Sequence, residues 1–273
     1  VIRTWTVFDL CTEDFRVFSQ IIHMLDTKPP VITCPANVSF NTHSTSCTAQ
    51  VWLPQATATD ACSGVTIATS WPFGSGQGPF NTVPVGSHTV TYTAKDGCNN
   101  QASCTITVTV KDNVPPVAIC QNLVNVALQQ DGTTIVFANS FNNGSYDNCD
   151  IATLEVSRDN GQFDEFVSFD CSDLGKQPKV TLRITDVNGL TSQCVSNVIV
   201  RDDLKPQIMC PANTTINCGL NFNNPALTGI PFASDNCTLV STNYTTQINL
   251  NSGGNGTVLR TGRATAQSGN FST

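Results

Sequence analysis

Thirteen cysteines in 273 residues are the densest chemical feature of this chain. Thiols at that density ligate metals, exchange electrons or close disulfides. Ligating and redox cysteines come in short C-x-x-C pairs, and none of these do. They recur instead at matched places. Cys34, Cys120 and Cys210 each close a phrase with an Asp eight positions earlier and Pro between: "LDTKPPVITC", "KDNVPPVAIC" and "RDDLKPQIMC". This pattern predicts disulfides and an oxidising, extracellular compartment. Catalysis finds no footing. The three histidines, His23, His43 and His88, have no evident nucleophile and acid beside them, and His88 reads as an exposed residue at a strand start. "FGSGQGPF" (73–80) lacks the Lys and following helix of a phosphate loop. The chain is expected not to be an enzyme.

Those residues must be positioned by strands. The three phrase cysteines are 86 and 90 residues apart, a period that suits one small β-domain each. "TAQVWLP" (48–54), "VTIATSW" (65–71), "HTVTYTA" (88–94) and "CTITVTV" (104–110) alternate Thr or Ser with apolar residues, as strands with one buried face do. "FGSGQGPF", "VPVG" (83–86) and "DGCNNQ" (96–101) read as turns. A second set follows: "LVNVALQ" (123–129), "TTIVFA" (133–138), "IATLEVS" (151–157), "KVTLRITD" (179–186) and "CVSNVIVRD" (194–202). "DLGKQP" (173–178) has room for one helical turn. The expected fold is all-β: tandem immunoglobulin-like antiparallel β-sandwiches joined by short Pro-containing linkers. Modules are expected at 28–112, 113–202 and 203–273, the last incomplete at its C-terminal end. Residues 1–27 read as the last hairpin of a preceding module or a donated strand. The Pro phrase is then the joint, since Pro fixes φ and leaves little slack.

Net charge is −7 and 12% of residues are charged, which gives no basic footprint for nucleic acid and no polybasic membrane surface. No run of ~18 apolar residues exists to span a bilayer. The chain opens inside a strand, "VIRTWTV", without a signal peptide, and reads as a window from something longer.

Module 1 resembles a hyalin repeat (HYR) domain through "PPVITCPANVSF" (29–40), "ATDAC" (58–62), "VPVGSHTVTYTAKD" (83–96) and "ASCTITVTVKD" (102–112). Module 2 is similar to a related repeat of secreted bacterial surface proteins through "NGSYDNCDIATLEVS" (143–157), "FDCSDLG" (169–175) and "TLRITDVNG" (181–189). Module 3 resembles both through "CPANTTINC" (210–218) and "SDNC" (234–237). The resemblance implies an immunoglobulin-like fold, no catalytic residues, and an extracellular adhesive or stalk role in very large tandem proteins. It also implies a Bacteroidota-type secreted surface protein as source.

In a sandwich of this topology the first and last strands run parallel at one edge. Bridges Cys34–Cys104 and Cys120–Cys194 follow, with Cys149–Cys171 as the remaining pair of module 2. The family's four-cysteine pattern implies Cys47–Cys62, whereas loop proximity favours Cys62–Cys98. Asp26, Asp60 and Asp96 should approach one end of module 1, and Asp112, Asp147 and Asp186, with Asp150 nearby, the same end of module 2. They are candidate Ca²⁺ ligands, since Ca²⁺ takes six to eight oxygens; the alternative is that each acid caps turn N–H groups. Calcium is the one cofactor expected, and none is required. Trp71, Phe73 and Phe80 are candidates for an aromatic sugar platform, the alternative being that they cap the core. N-x-S/T sequons stand at Asn37, Asn143, Asn213, Asn236, Asn243, Asn255 and Asn270.

The expected function is an extracellular structural or adhesive segment: stalk, fibre or filament subunit of a cell-surface adhesin. Alternatives are glycan- or protein-binding modules, or an accessory array beside an enzyme outside this window. Expected partners are neighbouring repeats or further copies. In the sharpest form, strand 15–26 of one copy fills the open edge of module 3 in the next. Phe18 stands where module 1 has Cys104, so Cys210 would lack its bridge there.

Overall fold

The computed structural model describes residues Val1–Thr273 and divides into two compact units, Val1–Asn113 and Val114–Thr273. It is built of curled β-sheet units of immunoglobulin-like type, joined in series.

The first unit opens with a hairpin, β1 (Ile2–Asp9) and β2 (Asp14–Ile21), in unbroken register from Ile2↔Ile21 to Asp9↔Asp14. Its large side chains, Trp5, Val7, Phe15, Val17 and Phe18 among them, are exposed. Module 1 follows with β3 (Val31–Thr33), β4 (Val38–Asn41), β5 (Thr48–Val51), β6 (Thr57–Thr59), β7 (Val65–Ser70), β8 (Phe80–Pro84), β9 (Gly86–Asp96) and β10 (Gln101–Lys111). One sheet has the order β4-β10-β9-β7, and β5 pairs β8 opposite it. Strand alternation fills the space between. Val90, Tyr92, Ile106, Val108 and Val110 point inward from one sheet, and Ala49, Val51 and Val83 from the other. Burying these side chains contributes roughly 1.5–3 kcal/mol each for the larger ones. Tyr92 is buried among them yet keeps its polar tip satisfied, its hydroxyl donating to Pro54 O at 2.7 Å. Burial pushes the Tyr92 pKa up.

"VPVG", expected as a turn, belongs mostly to strands. Val83 and Pro84 end β8 and Gly86 begins β9. The chain changes sheet here, and Gly86, at φ 134°, makes the change of direction that a side chain would resist.

The second unit repeats the plan: β11 (Leu123–Ala127), β12 (Thr133–Phe137), β13 (Ile151–Arg158), β14 (Phe166–Asp170), β15 (Lys179–Asp186) and β16 (Thr191–Arg201). The sheets are β11-β16-β15-β13 and β12-β14, around Val126, Phe141, Val156, Phe169, Leu182, Ile184 and Val198. In both modules the first strand of the large sheet runs parallel to the last: Val38 pairs Val108, and Leu123 pairs Asn197. The helical turn expected within 173–178 lies slightly earlier, as a 3₁₀ turn over Cys171–Asp173. Asp170 and Asp173 close it as a reciprocal capping box, and Asp173 also receives both terminal nitrogens of Arg158.

The last stretch holds β17 (Gln207–Met209), the single helical turn α1 (Pro225–Thr228), β18 (Phe232–Ser234), β19 (Leu239–Leu250), β20 (Gly256–Ala266) and β21 (Phe271–Ser272). Here Ala264 and Ala266 are the buried apolar side chains, so module 3 packs far less than its neighbours.

Candidate functional site: the ends of the modules

Two short motifs build the same end of successive modules. The first is the Asp-x-Cys loop. Asp60 accepts the Cys62 N–H at 2.8 Å, Asp147 that of Cys149 at 2.8 Å, and Asp235 that of Cys237 at 3.3 Å. The side chain thus fixes a turn that presents a cysteine. The second motif is the turn of the final hairpin. Asp96 accepts from the N–H groups of Cys98 and Asn100, both at 2.8 Å. Asp186 accepts from Asn188 at 2.8 Å and Leu190 at 2.9 Å. Both aspartates are buried.

In the first unit these motifs gather three of the predicted acids. Ligand atoms of Asp26, Asp60 and Asp96 all lie within 4.8 Å of one another. Asn100 ties two of them together, its amide donating to Asp96 Oδ2 at 2.8 Å and to the Asp26 carbonyl at 3.2 Å. Asp26 Oδ2 is buried and has no hydrogen-bond partner. Backbone N–H groups, that of Cys62 foremost, hold Asp60 below its ordinary pKa. Elsewhere in that unit Asp112 accepts from Thr42 Oγ1 at 2.8 Å. In the second unit Asp147 and Asp186 each keep one buried carboxylate oxygen without a partner.

The junction of modules 2 and 3 was the least anticipated. Asp202, the joint acid, is 4% exposed. Its Oδ1 accepts from Asn236 Nδ2 at 3.1 Å and Leu204 N at 3.2 Å, and its Oδ2 from Ser268 Oγ at 3.2 Å. Asn270 Nδ2 donates to the Asp202 and Leu204 carbonyls at 2.6 and 3.0 Å. Asn236 reaches back into module 2, donating to Gln129 O at 3.2 Å. The amides of Asn236 and Asn270, both in sequons, are thus committed to the joint. Asp235 has its pKa raised, first by burial and further by the negative charge of Asp202. The signal that could have flagged this junction is the third copy of the loop, "SDNC".

The cysteines follow the prediction in part. Cys34–Cys104 and Cys120–Cys194 are disulfides. Cys149–Cys171 is not formed: Cys171 bonds Cys237 of module 3 instead. The 3₁₀ turn places the Cys171 sulfur at the module end, 3.4 Å from Gly132 O and 3.5 Å from Asn236 O, away from its own Asp-x-Cys loop. Cys47–Cys62 is not formed either. Cys62 is a free, exposed thiol, as are Cys11, Cys98, Cys210 and Cys218, which also excludes Cys62–Cys98; Cys47 and Cys149 are both oxidised.

The aromatic platform is not one. Trp71 and Phe80 are 8% and 9% exposed and stack edge to face, centroids 4.8 Å apart, inside the core. Phe73, half-buried, packs edge to face with Trp71 at 5.1 Å and with His88 at 4.9 Å. His88 itself is half-buried, Nε2 lying 2.8 Å from Pro84 O.

This geometry is that of a structural repeat. Residues 25–110 match the HYR domain family. Hyalin of Strongylocentrotus purpuratus is 30% identical over 227 residues, 78% of this chain and 18% of that protein. Hyalin of Lytechinus variegatus is 32% identical over 196 residues, 68% and 34% respectively. The chain thus spans 18% and 34% of these curated relatives' lengths. Solved structures with some likeness include the N-terminal eight Ig domains of Down Syndrome Cell Adhesion Molecule. That match has 9% identity, covers 96% of this chain and 43% of the other, and has a TM-score of 0.41. Cadherin domains 3–6 of Protocadherin Gamma B2 give 13% identity, 70% and 56% coverage, and a TM-score of 0.39. The homology to hyalin repeats, with the disulfides, supports an extracellular location. No helix is long and apolar enough to cross a membrane.

Proposed function

We propose that this chain is a load-bearing repeat segment, a stalk or fibre of an extracellular adhesive protein at a cell surface, divided at 28–112, 113–202 and 203–273. The observation that carries this reading is the Cys171–Cys237 bond with the Asp202–Asn236 network beneath it. A covalent and a polar tie cross one joint, which suits transmission of tension better than free rotation. The "YDNC" and "FDCSDLG" motifs of module 2 support a Bacteroidota-type source. Natural partners are neighbouring repeats of the same kind. The test is pulling of the intact chain: a stalk segment should resist extension in the oxidised state and lengthen at the junction of modules 2 and 3 when reduced. Free bending of that junction in oxidised protein, seen by solution scattering, would remove the reading.

A second reading concerns Asp26, Asp60 and Asp96 as a Ca²⁺ site. It is favoured by the partnerless, buried Asp26 Oδ2 facing two further carboxylates. Bound calcium would neutralise their mutual repulsion and stiffen the entry to module 1. Unchanged melting on adding Ca²⁺ would exclude it.

A further inference from the structure

Modules 1 and 2 differ on one flank. In each, the small sheet ends on a cross-strand pair: Val51↔Phe80 in module 1 and Phe137↔Phe166 in module 2. The first pair is buried, with Trp71 packed edge to face on Phe80. The second points the other way. Phe137 and Phe166 are 54% and 40% exposed, with ring centroids 5.9 Å apart. Strand parity decides this, because Val167 and Phe169 take the inward places of β14.

Phe137 also lines a groove of about 490 Å³ along β13, the edge strand of the large sheet. Leu154 and Glu155 of β13 line it too, with Ala138, Asn139 and Glu165 from the turns flanking β12 and β14. The β13 edge is open here. Val156 N–H donates to Asp164 O at 2.7 Å, and Val156 O accepts from Asp164 N at 2.9 Å, so Val156 offers its backbone away from β15. Leu154, two residues earlier in unbroken register with β15, offers its N–H and C=O to the same side. The chain that pairs Val156 does not run on to Leu154. It turns away at Glu165, whose carbonyl accepts the Ala138 N–H at 2.9 Å, and enters β14. Asp164 and Glu165 are exposed acids, and none of the chain's ion pairs includes them. The neighbouring acid shows what such a setting holds. Glu155 Oε2 accepts from Arg183 Nη2 at 2.7 Å, and the same guanidinium lies 4.0 Å from the Phe163 ring centroid. Glu165 and Phe137 bring the same two groups, carboxylate and ring, to one groove.

We propose that this flank of module 2 is a docking site for an extended, basic segment of a partner protein. The segment adds to the β13 edge at Leu154, where backbone hydrogen bonds supply affinity. An arginine of the segment, set against Glu165 and the Phe137 ring, supplies specificity. Charge complementarity names the occupant. The groove brings acids without cations, and the chain as a whole carries net charge −7. Two copies of this chain therefore repel each other, while a basic segment is drawn in.

The test uses the full chain and a fluorescent peptide of sequence Thr-Val-Arg-Val-Thr, blocked at both ends, with binding read by anisotropy. The expected result is saturable binding that citrulline in place of arginine weakens about tenfold and glutamate in its place abolishes. In the chain, Glu165→Gln should weaken binding about fivefold and Phe137→Ala about threefold. Both side chains lie outside the buried cluster of module 2, so these variants keep the fold. A strand added at one edge bonds through alternate residues. N-methylation of one alternating set of peptide amides should therefore abolish binding, and of the other set leave it. Equal binding of the arginine and citrulline peptides, wild-type binding by Glu165→Gln, or equal tolerance of both N-methylated sets would overturn the proposal. So would dimerisation of the chain alone that protects the Leu154 amide from hydrogen exchange, because a second copy would then be the occupant.

Discussion

Cys171, at the far end of module 2, is bonded to Cys237 in the Asp-x-Cys loop of module 3. This bond interlocks with Cys120–Cys194, because Cys171 lies between those two in sequence. Under tension the shortest covalent path from Cys194 to Cys237 then runs back through Cys171, 23 residues rather than 43. Replacing Cys237 by Ser should lengthen the fully stretched chain by the difference, about 20 residues or roughly 70 Å at ~3.5 Å each. Single-molecule pulling of wild type and Cys237→Ser measures this directly. Equal contour lengths would mean that the bond is absent in the folded protein. The same variant should lose thermal stability, by about 4 kcal/mol on the chain-entropy model for a loop of this length.

Asp202 should be the polar keystone of the same junction. It accepts from Asn236, Leu204 and Ser268 while nearly inaccessible to water. Asp202→Ala removes the buried acceptor that three part-buried donors share and should destabilise the folded chain by about 1–2 kcal/mol. Chemical denaturation measures it, with Ser268→Ala, which removes one donor and strands fewer groups, as the milder comparison. A change within error in Asp202→Ala would place the joint in water rather than in the protein.

Much of the fold was legible because Thr–Val alternation is a direct readout of a half-buried strand. β9, β10, β15 and β16 carry long runs of it. β8 was hidden by the prolines and glycines at its ends, and β14 by the acids Asp164, Glu165 and Asp170 around its apolar residues. Both first-to-last-strand bridges were legible because they follow from topology. Cys171–Cys237 was not, since a bond between modules is invisible to reasoning that treats each module as closed. Trp71 and Phe80 misled for a related reason: glycines beside aromatics suggest an exposed loop, yet here they let the chain fold those rings back onto Val51 and Val83. The acids Asp26, Asp60 and Asp96 were found because they recur; Asp235 recurs too, but its alanine-containing turn in module 3 broke the triplet.

Asp235 should make the junction pH-dependent in an unusual direction. Its folded-state pKa is raised above 3.8 by burial and by Asp202. The folded state therefore holds the proton more tightly than the unfolded chain. Above the folded pKa the ionised group destabilises the fold, and this penalty is relieved as pH falls from the folded pKa toward 3.8. Asp60 works the other way. Its pKa is lowered, so its contribution is present above 3.8 and lost only below it. Asp235→Asn should thus melt higher than wild type at pH 7, and the gap should close near pH 4. A wild type that melts higher than Asp235→Asn at pH 7 would refute the sign.

Calcium separates two roles for Asp26, Asp60 and Asp96. If the acids serve only as turn caps, Asp60→Asn keeps an acceptor for the Cys62 and Ser63 N–H groups, now at 2.8 and 3.0 Å, and melting should barely change with or without Ca²⁺. If they hold the ion, wild type should melt higher in millimolar Ca²⁺ than in chelator, and Asp60→Asn should abolish that difference. The expected size follows from linkage: about 2.7 kcal/mol when free Ca²⁺ is a hundredfold above its Kd. Mg²⁺ is the control, because it demands a tighter octahedral shell and sheds water reluctantly. Asp96→Asn completes the argument. Its Oδ1 accepts from the turn N–H groups while its Oδ2 accepts from Asn100 Nδ2 at 2.8 Å; an amide NH2 in the Oδ2 position would face that donor, so this substitution should lower the melting temperature in chelator as well, unlike Asp60→Asn. Identical melting curves for wild type in Ca²⁺, Mg²⁺ and chelator would leave the turn-capping role alone.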